Sequence, residues 1–110
     1  MIVLDPLQAS RDAVSTSDTR PATAIIFDAP DLRLLVFRIL PGQAVAPHQN
    51  ASTVTLTVLE GAGFVSGRDG VRPCRAGEVV TYEPGETHGM RAGEQPLHLL
   101  AAITPRPGTR

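Results

Sequence analysis

Residues 42–61 read GQAVAPHQNASTVTLTVLEG. Within them Val54, Leu56 and Val58 alternate with Thr53, Thr55 and Thr57, a strict period of two. Successive side chains of an extended chain point to opposite faces, so this spacing predicts a strand over Thr53–Leu59. One face of that strand is apolar and the other carries β-branched hydroxyls, which suits a sheet buried on one side and wet on the other. Glu60-Gly61-Ala62-Gly63 breaks it.

The same texture recurs on both sides. AIIF (24–27), LRLLVFRIL (32–40), EVVTY (78–82) and the run Leu97 to Ile103 are short and apolar, with DAPD, PGQ, GRDG and EPGE between such runs. Asp69-Gly70 between two extended segments signals a hairpin. Pro84-Gly85 suits the central positions of a type II turn, whose second residue needs a positive φ. About eight short strands and no long helix result, which makes the chain all-β: a small antiparallel sandwich or jelly-roll β-barrel. Residues 1–22 read as an N-terminal arm with a weak helical possibility over Leu7–Val14. Residues 23–104 read as the barrel, and residues 105–110 as a loose tail.

At 110 residues the chain has room for one core. Its net charge of −1 offers no basic field for a phosphate backbone, so nucleic acid is not an expected partner. All ten basic residues are Arg. Arg suits bidentate contacts with carboxylate or phosphate, although a coding bias of the source genome is the simpler account. Cys74 is the only cysteine, which leaves neither a disulfide nor a thiolate cluster, and beside Pro73 it reads as a small apolar filler. Ser52 and Ser66 lack a nucleophile-elbow context. The opening MIVLDPLQAS has no basic n-region, and no stretch approaches a membrane span. The expectation is a cytoplasmic protein without a membrane partner.

Two ordered segments resemble the cupin superfamily. Cupins carry a first segment of the form G, five residues, H-x-H, three or four residues, E, six residues, G. Here Gly42, His48, Asn50 and Gly61 keep that spacing, and Val54 stands at the Glu position. The second segment, G, five residues, P-x-G, two residues, H, three residues, N, is matched by Gly77, Gly85 and His88. Glu83 replaces its first proline and Ala92 its Asn. Residues 62–76 form the connecting hairpin. The resemblance implies the cupin barrel, with His48 and His88 facing one pocket.

In metal-binding cupins three His and one Glu converge on a divalent ion, usually Fe, Mn, Ni, Cu or Zn. The resemblance carries over only His48 and His88 as ligands, with Asn50 where the second His would stand. Val54 removes the one anion, and a dication without a compensating charge is costly in an apolar interior. His98 offers a third nitrogen if Leu97, Leu99 and Ala101 face outward; if those residues fill the core, it lies on the surface. Glu86 is either a rim carboxylate or a solvated turn residue. The expected function is a small-molecule-binding barrel with a degenerate metal site. Its pocket is lined by His48, Asn50, Val54, Leu56, Val58, Tyr82 and His88. The alternative is a metal-dependent enzyme of dioxygenase or isomerase type using His48 and His88. A homodimer is expected in either case, since cupins of this size commonly pair and an incomplete barrel exposes strand edges.

Overall fold

A computed structural model describes residues 1–108. Nine strands follow one short helix: α1 Pro6–Asp12, β1 Ala22–Ala29, β2 Leu32–Ile39, β3 Ala44–His48, β4 Thr53–Glu60, β5 Ala62–Gly67, β6 Gly70–Arg75, β7 Val79–Tyr82, β8 His88–Ala92 and β9 Leu97–Thr104. They form two antiparallel sheets, in the orders β1-β2-β9-β4-β7 and β3-β8-β5-β6. The alternation over 53–59 does what its period requires. Val54, Leu56 and Val58 are buried, while Thr55 and Thr57 lie half-exposed on the other face. There the Thr55 and Thr81 hydroxyls meet at 2.9 Å across β4 and β7.

The core lies between the sheets. Ile39, Leu56, Leu97 and Leu99 fill it from the larger sheet and Val65, Cys74, Met90 and Ala92 from the smaller. Each strand covers its neighbour's backbone polar groups, and the apolar faces close on one another. The hairpin at Asp69-Gly70 is present, with Gly67 paired to Gly70 across a two-residue loop. Two glycines fix the ends of strands. Gly61 has φ +82°, and a Cβ there would collide with the Pro96 carbonyl oxygen. Gly85 also has φ +82° but has open space beside it. It ends the turn that returns the chain to β8, and its N–H donates to the Asn50 carbonyl at 2.8 Å.

The helix over residues 6–12 starts where its chemistry dictates. Asp5 caps it by accepting from the Gln8 N–H at 3.1 Å, and Pro6 takes a first-turn position. It lies on the outer face of the larger sheet, against β1, β2 and β9. At the other end of the chain, the Ser52 hydroxyl donates to the Pro105 carbonyl at 2.6 Å, and Arg106 reaches Asp28 at 3.7 Å. Thr109 and Arg110, the end of the expected tail, lie outside the described residues. No helix among the described residues is long and apolar enough to cross a membrane.

Candidate functional site

His48 ends β3 and His88 begins β8, and the two residues are directly paired in the register of the smaller sheet. Their ring centroids are 4.4 Å apart with the planes tilted by 55°. The Pro84-Gly85 turn delivers His88 to this position, where it is 3% exposed, whereas His48 sits outside it in solvent. Each ring is held by its own backbone: His48 Nδ1 lies 3.1 Å from the Ala46 carbonyl oxygen and His88 Nδ1 2.9 Å from that of Glu86. A carbonyl oxygen only accepts, so each Nδ1 carries the proton and donates it. In the neutral rings both Nε2 atoms are therefore left with a free lone pair. Burial disfavours the cation of His88 and lowers its pKa; the Glu86 carbonyl acts against that, and the adjacent His48 adds to it.

Tyr82 also stacks on His88, with ring centroids 4.4 Å apart and planes 20° from parallel. Its hydroxyl is buried and has no hydrogen-bond partner among the described residues. Burial, with Glu86 nearby, pushes its pKa up to about 12, so it remains a donor across the physiological range. Asn50 is committed to its own turn, since its side-chain oxygen accepts from the Ser52 N–H at 2.9 Å. Val54, Leu56 and Val58 belong to the packed core, and Leu56 and Val58 are each 1% exposed.

This donor set does not fit a resident divalent ion. His48 and His88 supply two neutral imidazoles, the Asn50 oxygen is occupied, and Val54 places an aliphatic side chain where the family has its anion. Among the described residues no group of three or more His, Cys, Asp or Glu is arranged to hold a metal. Ions that prefer imidazole still need a third ligand and, in the facial-triad iron sites, a carboxylate.

Neither expectation for His98 holds. Leu97 and Leu99 are fully buried in the core, so by the alternation of β9 the His98 ring points to the opposite face of the sheet, away from the barrel interior. It is not on the surface either, being 5% exposed, because α1 covers it. The Ser10 hydroxyl lies 2.8 Å from His98 Nδ1, and Glu60 Oε1 lies 3.8 Å from Nε2. Arg11 of the helix reaches the same Glu60 carboxylate at 2.6 Å, and Arg38 donates to the Arg11 carbonyl at 2.6 Å. His98 thus fastens the helix to the sheet. Nothing in the motifs singles out Ser10 for this contact, although Asp5-Pro6 marks a helix start that places Ser10 one turn later.

Glu86 is neither a free rim carboxylate nor merely solvated. Its side-chain oxygens accept from the backbone N–H groups of Arg68 at 3.0 Å and Glu83 at 3.2 Å. Those bonds, led by that from Arg68, hold its pKa below the ordinary value and tie the β5–β6 hairpin to the turn before His88. A groove of about 1170 Å³ lies elsewhere: Ala44, Arg91, Ala92 and Gly93 line it, at the end of β8 away from His88. The histidine pair singled out by the motifs and this groove are therefore separate places.

The Cupin domain family matches residues 35–103. A protein of Thermus thermophilus superposes with a TM-score of 0.84 at 25% identity, covering 97% of this chain and 100% of its own. An uncharacterized conserved protein with a double-stranded β-helix domain, from Klebsiella pneumoniae, gives 0.78 at 25% identity over 87% of this chain and 86% of that one. A predicted oxalate decarboxylase of Thermotoga maritima gives 0.72 at 22% identity over 78% and 81%, a likeness of fold alone. No curated protein matches the sequence. With the motif spacing, the two-sheet barrel and a family match over most of the chain in agreement, this chain belongs to the cupin family.

Proposed function

We propose that this cupin binds a small polar molecule at the His48–His88 pair without a resident metal. The observation that carries the reading is the pairing of two imidazoles 4.4 Å apart, each with Nδ1 tied to a backbone carbonyl. Two fixed lone-pair acceptors side by side suit a ligand with adjacent donors, such as a diol or an ammonium group. Burial of His88 favours the neutral acceptor form. The unpartnered hydroxyl of the stacked Tyr82 is a donor that a bound water or ligand oxygen satisfies. A metal-dependent dioxygenase or isomerase needs ligands that Asn50 and Val54 do not provide.

The test combines elemental analysis with ligand titration. Protein purified without added metal, then dialysed against Fe, Mn, Ni, Cu and Zn, is expected to retain well under one ion per chain. Small diols and amines are expected to shift the ring signals of His48 and His88, and a His48→Ala variant to abolish those shifts. A stoichiometric transition metal that is lost in His48→Ala overturns the reading in favour of the metal enzyme.

A further inference from the structure

We infer that the groove at the far end of the smaller sheet is a second binding site, for a small organic anion with one carboxylate or phosphate group on a flat apolar body. The arginines divide by what they meet. Arg11, Arg33, Arg68 and Arg106 each lie within 4.0 Å of a carboxylate, at 2.6, 3.2, 3.4 and 3.7 Å. Arg38 is used on the Arg11 carbonyl. Arg72, Arg75 and Arg91 form no ion pair among the described residues, and all three line this one groove of about 1170 Å³. Apart from Arg20, in the loop before β1, the described arginines not engaged by the chain's own oxygens are thus gathered at one concavity.

Strand register explains how two of them come to act together. Phe64 of β5 is paired to Arg91 of β8 on one side and to Pro73 of β6 on the other, and Ala62 is paired to Arg75 in the next outward-facing row. Val65, Cys74 and Met90 face the core, so Phe64, Arg75 and Arg91 share the outer face. The Arg91 guanidinium lies 4.0 Å above the Phe64 ring centroid. That stacking holds its plane while leaving the N–H edge open for a bidentate anion. Phe64 and Pro73 supply the apolar floor, and the absent side chain of Gly93 leaves room beside the ring, where a Cβ would lie 3.8 Å from Phe64 Cε2. Glu78 and Glu94 border the groove as well, and their charge selects against a polyanion. The site is separate from the histidine pair: His88 and Ala92 are about 13 Å apart along β8 at 3.3 Å per residue.

Benzoate and phenyl phosphate are the anionic probes and benzamide the neutral one, followed by backbone amide shifts in the full chain. Saturable shifts at Ala62, Ala92 and Gly93 are expected with both anions and not with benzamide. Arg91→Gln and Arg75→Gln are each expected to weaken binding about tenfold, the usual size of one charged hydrogen bond, while His48→Ala leaves it unchanged. Folding of each variant is checked by its amide spectrum. Equal binding of benzamide, or anion binding unaltered in both folded arginine variants, overturns the site. So do shifts confined to His48, Asn50 and His88, an outcome that would leave the reading of the histidine pair intact.

Discussion

His88 and His98 are both buried imidazoles held in the neutral state, for different structural ends. For each, burial is the first cause of a lowered pKa. At His98 the Glu60 carboxylate opposes the shift and Arg11 and Arg38 add to it. The folded chain therefore favours the uncharged rings. Their contribution to stability is complete above the ordinary histidine value of about 6.5 and is lost as pH falls through it towards the lower folded values. Ring proton signals followed by NMR are expected to titrate below about 6.5 for both residues, with the urea midpoint flat above neutrality and falling on acidification. A ring titrating above that value would show that burial is not the controlling effect there. Removing the partner of His98 tests its structural role. Ser10→Ala leaves a buried ring nitrogen unpaired, which costs about 1–3 kcal/mol. Urea unfolding should show that loss, and amides of residues 6–12 should exchange faster; unchanged exchange would mean that the helix is held without His98.

At the scale of the strand and turn, Gly61 and Gly85 separate two reasons for a glycine. Both have φ +82°, but only Gly61 meets another backbone, that of Pro96 before β9. Gly85→Ala is expected to cost about 1–2 kcal/mol, the penalty of a left-handed conformation. Gly61→Ala carries the same penalty and must also displace the chain entering β9, so its cost is expected to be larger, on the order of 3 kcal/mol or more. Denaturant unfolding of the two variants side by side measures the difference, and equal costs would refute the close approach at Gly61. The spacing of glycines in the two motifs was legible in the sequence. Which glycine is crowded was not, because the colliding atom comes from residue 96.

For the molecule as a whole, β1, β7, β3 and β6 end the two sheets, and an edge strand leaves backbone groups that another chain can pair with. Met1, Ile2 and Val3 are exposed by 116%, 66% and 85%, a short β-prone segment with no cover. A homodimer is expected in sedimentation velocity, shifted towards monomer by Ile2→Asp with Val3→Asp; a monomer at all concentrations would refute it. The sequence by itself determined the all-β class and the hairpin at Asp69-Gly70. Those features rest on local period and turn chemistry, which act over a few residues. Tertiary structure alone decided that His98 sits beneath the helix, that Leu56 and Val58 are core, and that Arg75 and Arg91 share a face with Phe64. A period of two states that neighbours face opposite ways, but not which way is in. That choice is made by what packs across the sheet, and it joins residues, such as Ser10 and His98, that are 88 positions apart.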